Sequence, residues 1–134
     1  MAAVDILLAT YNGARFLPEQ LQSLIDQHFR DWRLIVRDDG SADDTLAIVN
    51  EWAHRTGADL WVVEDGLRAG CARDNFSRLL AISDAPYFAF CDQDDVWKPD
   101  KLSRMVACLR QHEATVGAAT PLLAFCDLEP VDAP

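Results

Sequence analysis

The side chains of this chain with the most capacity for chemistry are its aspartates, and they are clustered. Asp92, Asp94 and Asp95 follow one another with only Gln93 between, and Asp38 and Asp39 stand side by side before Gly40. Carboxylates gathered at one place repel, which raises their pKa values or loosens the loops that carry them unless a cation intervenes. A hard divalent ion, Mg²⁺ or Mn²⁺, takes carboxylate oxygens and keeps positions open for water and for phosphate oxygens. An Asp-x-Asp at a strand end suits that task, because alternate residues of extended backbone project to the same side. Asp92 and Asp94 are therefore candidate metal ligands. Asp43 and Asp44 read differently: with Ser41 they have the form of a capping box at a helix start, and Asp100 beside Pro99 reads as the partner of another helix dipole.

Other acidic-loop chemistries fail on spacing. A calcium-binding EF-hand loop beginning at Asp92 would need an oxygen ligand where Val96 stands, glycine where Trp97 stands and glutamate where Ser103 stands. A phosphotransfer site of the receiver or haloacid type would carry its acids after the first strand, where this chain has Thr10-Tyr11-Asn12. The glycine-rich basic loop of a nucleotidyltransferase and the G-x-G-x-x-G of a dinucleotide fold are both missing there. The net charge of −10, with no run of Lys and Arg, argues against nucleic acid as a partner. An anionic ligand would need a bound cation or a few placed arginines to hold it.

The elements that must position these residues follow from hydrophobic patterning. Residues 4–9, 34–36, 60–63, 87–91 and 122–126 are short apolar runs of strand length. Between them lie helical faces: Leu17, Leu21, Leu24 and Ile25; then Thr45, Ile48, Val49 and Trp52; then Phe76, Leu79 and Leu80; and last Leu102, Met105, Val106 and Leu109 after Pro99. Pro18 is tolerable because it falls in a first turn, and Gly57 is a helix stop. Five strands alternating with four helices predict a doubly wound α/β domain with a mainly parallel sheet and helices on both faces. Ligands of such sheets bind beyond the carboxyl ends of the strands. Those ends are Thr10-Tyr11-Asn12, Asp38-Asp39 and Asp92-Gln93-Asp94-Asp95, so the acids are expected at the ligand edge, with Asp38 and Asp92 on neighbouring strands.

The four cysteines, with no CxxC pair and no histidine at ligand spacing, read as buried free thiols in a reducing compartment. The N-terminus has no basic stretch, Asp5 interrupts its apolar segment and no run approaches the length of a membrane span, which points to a cytoplasmic protein. His28, His54 and His112 carry no assigned chemistry.

Four segments, ILLATYNG (residues 6–13), VRDDGSADDT (36–45), RDNFSRLL (73–80) and FCDQDDVWKPDKL (90–102), occur in this order along nearly the whole chain. Together they resemble glycosyltransferase family 2, inverting enzymes of GT-A fold, and within it the bacterial rhamnosyltransferase-like branch. The resemblance implies that Thr10, Tyr11 and Asn12 line a nucleoside pocket and that Asp38 or Asp39 contacts base or ribose. It implies that Asp92 touches ribose or donor sugar, and that Asp94 coordinates the divalent metal bridging the donor's diphosphate. Arg73 would add a positive partner and Asn75 a hydrogen bond, although Arg73 pairing with a surface acid and Asn75 capping a helix are equal alternatives. The partners implied are a UDP- or dTDP-sugar and a glycan or lipid-linked acceptor of the bacterial surface, with membrane association left to the full-length protein. The family's catalytic domain is longer. The expectation is therefore a truncated chain in which residues 1–128 form the nucleotide-sugar-binding domain, 129–134 form a frayed tail, and the general base lies beyond Pro134. Apolar surface left by the missing part would favour a homodimer. A non-catalytic nucleotide-sugar-binding or assembly module is the alternative.

Overall fold

The computed structural model describes residues 1–131. Four strands and four helices alternate along it: β1 (Val4–Thr10), α1 (Leu17–Ile25), β2 (Trp32–Asp38), α2 (Thr45–Thr56), β3 (Leu60–Val62), α3 (Ala72–Ile82), β4 (Tyr87–Asp92) and α4 (Lys101–Val116). All pairings are parallel and the strand order is β3-β2-β1-β4. β1 is central and buried on both faces, which is why it reads as an almost unbroken apolar run.

Alternation along the strands divides the core in two. Ile6 and Leu8 of β1 with Leu34 and Val36 of β2 meet Leu17, Leu21 and Leu24 of α1, Val49 and Trp52 of α2, and Leu102 and Val106 of α4. On the other face Leu7 and Ile35 pack against Leu79 of α3, with Phe76 and Ile82 beside it. Helices thus cover both faces, three against one. The chain runs outward through β1, β2 and β3, then returns across β1 to lay down β4 on the opposite side. That reversal opens a crevice at the carboxyl ends of β1 and β4, the place where open α/β sheets bind ligands.

Several local expectations need correction. Residues 122–126 do not form a fifth strand: they pair with no neighbour, and Leu123 and Phe125 are more than four-fifths exposed. Asp38 and Asp92 are not on adjacent strands but flank β1, with Asp38 opposite Thr10 and Asp92 opposite Ala9. The Ser41–Asp44 capping box does not form, because Asp44 makes no capping bond and the Ser41 hydroxyl is bonded elsewhere. Only Cys91 is buried among the four free thiols. Gly57 does close α2, with a left-handed φ of 69°. No helix among the described residues is long and apolar enough to cross a membrane. Of the tail expected at 129–134, residues 132–134 lie outside the described residues.

Candidate active site

The loop after β1 is built by the loop after β2. Asn12 has φ 47°, a left-handed conformation that asparagine tolerates better than most residues. Its side-chain Oδ1 accepts the Ala42 N–H at 2.8 Å, and its own N–H donates to Ser41 Oγ at 2.8 Å. The Gly13 N–H donates to Thr45 Oγ1 at 2.9 Å and the Ala14 N–H to Asp43 Oδ2 at 3.1 Å. The polar residues that suggest a helix cap from their spacing are thus used as a brace between loops. Asp38 completes it: its Oδ1 accepts from the Thr10 hydroxyl at 2.8 Å, and its Oδ2 accepts from the Gly40 and Ser41 N–H groups at 3.1 and 2.8 Å.

Beneath this edge lies a buried cation. Arg37, the penultimate residue of β2, is fully enclosed and must be paired. Its guanidinium donates to both oxygens of Asp65 at 2.9 and 3.0 Å, to Asn75 Oδ1 at 3.0 Å, to the Leu67 carbonyl at 2.6 Å, and more loosely to Asp39 at 3.5 Å. Arg37, with the Leu67 N–H, holds the Asp65 carboxyl down at about 2. Asn75 returns a bond from Nδ2 to the Arg37 carbonyl at 3.1 Å, so it sits inside α3 locked to β2 and does not cap the helix. Asp39 accepts from the Ala69 and Gly70 N–H groups. Those bonds, with help from Arg37, keep its carboxyl below the ordinary range against the opposing effect of burial.

The third component is the turn after β4. Trp97 packs under it, nearly fully buried, with the Lys101 ammonium 4.3 Å above its ring and its N–H bonded to Ser23 Oγ at 3.0 Å. Above the tryptophan, Asp92, Asp94 and Asp95 form no ion pair among the described residues. Burial, then the charges of Asp95 and Asp94, push the Asp92 carboxyl above its ordinary range, and Lys101 only partly offsets them.

These components enclose a cleft of about 410 Å³ whose lining includes Thr10, Tyr11, Asp39, Asn75, Asp92 and Asp94. The loops after all four strands therefore contribute to one site. Asp38 lies instead in an adjoining recess of about 360 Å³, and the Arg68 side chain lines both spaces. Asn12, spent on the brace, and Arg73, exposed and paired with Asp74 at 3.0 Å, do not line the cleft. No group of three or more His, Cys, Asp or Glu side chains is arranged to cage an ion among the described residues.

Three residues of the site escape sequence reasoning. Arg37 had a signal, a charge at an interior position of a buried strand. Arg68 belongs to a glycine- and arginine-containing loop with no periodicity; its guanidinium lies 5.7 Å over the Tyr11 ring, close enough to Gly40 that a Cβ there would meet Nε at 3.3 Å. Gln93, between two acids, has no signal beyond its position.

A parallel sheet with a crevice at its switch point defines a ligand-binding α/β class, and comparison with known proteins narrows it. Residues 5–127 match the family model for glycosyl transferase family 2, and the chain belongs to that family. The fold is that of the GT-A glycosyltransferases. The dTDP-rhamnosyl transferase RfbG of Shigella flexneri is 35% identical over 105 residues, 76% of this chain and 36% of the relative. Among solved structures, S. aureus TarS in complex with UDP-GlcNAc superposes with a TM-score of 0.74 at 27% identity, over 82% of this chain and 32% of TarS. The mannosyltransferase PcManGT of Pyrobaculum calidifontis, in complex with GDP-Man and Mn²⁺, superposes with a TM-score of 0.70 at 28% identity, over 78% of this chain and 31% of its own. The chain spans 36% to 50% of the length of the first curated relatives it matches.

Proposed function

We propose that residues 1–128 are the donor-binding domain of a glycosyltransferase that takes a nucleoside diphosphate sugar, UDP- or dTDP-linked, and transfers its sugar with inversion to a surface glycan or lipid-linked acceptor. The observation that carries this reading is the meeting of Thr10, Tyr11 and Asp39 with Asp92 and Asp94 in a single cleft. The names of the similar proteins support it: a dTDP-rhamnosyl transferase, and structures in complex with UDP-GlcNAc and GDP-Man.

Within the cleft each residue has a task its chemistry suits. The exposed face of the Tyr11 ring offers a stacking surface for a base or ribose. Arg68, which makes no ion pair among the described residues, brings positive charge to a cleft whose other charged lining residues, Asp39, Asp92 and Asp94, are acids, where an anionic diphosphate must come to rest. Asp39 is held rigid by two backbone donors and shapes the wall beside them. Asn75, tied to Arg37 in both directions, fixes α3 against the sheet at the floor.

The acidic turn fits a divalent ion. Its oxygens are hard donors, its charges form no ion pair among the described residues, and Asp92 is already destabilised as a carboxylate by desolvation and then by Asp95 and Asp94. Asp94 and Asp92 would hold Mg²⁺ or Mn²⁺. Two protein ligands suit an ion that fills its remaining positions with water and phosphate oxygens. Bound there, the metal supplies charge neutralisation for the departing diphosphate.

The test is isothermal titration of UDP and dTDP into the chain with Mn²⁺ and with EDTA. Binding is expected to be strengthened by metal, and that gain to be lost in Asp94→Ala; binding indifferent to both metal and Asp94 overturns the assignment.

A further inference from the structure

The acidic turn and the loop after β1 meet through one side chain. The Tyr11 N–H donates to Gln93 Oε1 at 2.9 Å, and Gln93 Nε2 donates to the Tyr11 carbonyl at 3.0 Å. One amide thus closes a two-bond ring on one backbone unit, which fixes rotation as well as distance where a single bond would leave a swivel. Gly13 provides the room. A Cβ at position 13 would lie 2.3 Å from Gln93 Oε1 and 2.7 Å from Cδ, contacts that real side chains do not make.

Among the described residues no other side-chain hydrogen bond joins residues 92–95 to residues 11–14. The other side-chain-mediated hydrogen bonds of the β1 loop, at Asn12, Gly13 and Ala14, run to Ser41, Ala42, Thr45 and Asp43 on the opposite side. Gln93 is also the residue between Asp92 and Asp94, so fixing its side chain fixes the backbone that carries both acids. The two elements it joins bear the two ends of the cleft: Thr10 and Tyr11 at one, Asp92 and Asp94 at the other. A ligand whose two ends are covalently linked gains affinity when the protein has already set the distance between the groups that receive them.

We propose that Gln93 is a positioning residue that sets the spacing between the nucleoside-binding loop and the metal-binding aspartates, so that metal and nucleotide reinforce each other's binding. The inference rests on the reading of the cleft as a metal-dependent nucleotide site. A glutamine that only touched the nucleotide would contribute equally with and without metal. A latch acts on the gain that metal brings.

The experiment titrates UDP into the unaltered chain and into Gln93→Met, which keeps volume and removes both hydrogen bonds, in EDTA and in saturating Mn²⁺. In Gln93→Met the affinity gain due to Mn²⁺ should shrink by about tenfold, the order expected for two lost hydrogen bonds, with the melting temperature and the metal-free affinity little changed. Gly13→Ala, which displaces the amide from Tyr11, should reproduce the loss, and Gly13→Ala with Gln93→Ala should lose no more than Gln93→Ala alone. That cycle decides the matter should Gln93→Met fold poorly. A full Mn²⁺ gain in Gln93→Met, additive effects in the cycle, or equal losses with and without metal would each overturn the latch while leaving the nucleotide site standing. Failure of the unaltered chain to bind UDP or dTDP in a metal-dependent way would overturn both.

Discussion

At the amino end of the sheet Asp5 is completely enclosed, yet every demand of its charge is met. Arg33 donates to it through Nε and Nη2 at 3.0 Å each, and the Ser83 hydroxyl at 2.8 Å and the Asp84 and Ala85 N–H groups at 3.2 and 3.3 Å complete the shell. Burial alone would raise its carboxyl, but Arg33, Ser83 and the Ala85 backbone outweigh burial and hold it below the ordinary range. At the carboxyl end the Asp92, Asp94 and Asp95 cluster forms no ion pair with arginine and has no comparable set of donors among the described residues, and Asp92 is pushed the other way. Asp5 is enclosed, whereas Asp92 and Asp94 are open to solvent and Asp95 is partly so. What separates a structural carboxylate from one suited to ligand binding is whether the fold has supplied its counter-charge. Asp39 shows that position alone is not decisive, since it lies at the ligand edge but is paired like Asp5.

The contrast can be broken most sharply by deletion. Asp5→Ala leaves Arg33 with only the exposed Asp84 and strands the Ser83 and backbone donors; the expected loss is about 3 kcal/mol in urea unfolding, at the lower end for a broken buried pair because Arg33 is partly exposed. Asp94→Ala should leave unfolding stability almost untouched while abolishing metal-dependent nucleotide binding. Equal destabilisation by the two substitutions would erase the distinction.

Acid titration gives an intermediate effect with opposite signs at the two ends. The Asp5 carboxyl is lowered, so its stabilisation is complete above the ordinary value of 3.8 and disappears as pH falls through its folded value. The Asp92 carboxyl is raised, so its contribution is complete below 3.8 and disappears as pH rises through its folded value. Melting temperatures of the metal-free chain followed from pH 3 upward should therefore show a shallower acid limb in Asp5→Asn, the remainder belonging to Asp39 and Asp65, and a smaller decline above it in Asp92→Asn. The smallest effect is expected at neutral pH without metal, where Asp92→Asn relieves repulsion from Asp94 and Asp95 and should stabilise the chain by less than about 1 kcal/mol, as for exposed charges generally.

The four strands and four helices that build the cleft were legible because each carries its own period: a continuous apolar run for strands covered on both faces, and an i, i+3, i+4 stripe for helices. Residues 122–126 have the composition of a strand, but strandedness also requires a hydrogen-bonding neighbour, and no local pattern specifies one. The capping box at Ser41 matched in spacing yet lost to a competing use of the same side chains, the long-range bonds to the Asn12 loop. Cys71, Cys108 and Cys126 are exposed because burial depends on which side of a helix or loop meets the core, which isolated cysteines do not reveal. The acids could be read from their crowding at strand ends. Arg68 and Gln93 could not, since their partners are the Tyr11 ring and its backbone, far away in sequence and silent about them.

The brace between residues 12–14 and 41–45 has a thermodynamic corollary. Because Asn12, Gly13 and Ala14 already spend their polar groups on Ser41, Ala42, Asp43 and Thr45, the loop need not be frozen out of a disordered ensemble when a visitor arrives. The entropic toll of docking then falls mostly on the incoming flexible molecule, and a softened brace would show itself first as slower capture, not as a colder melting point.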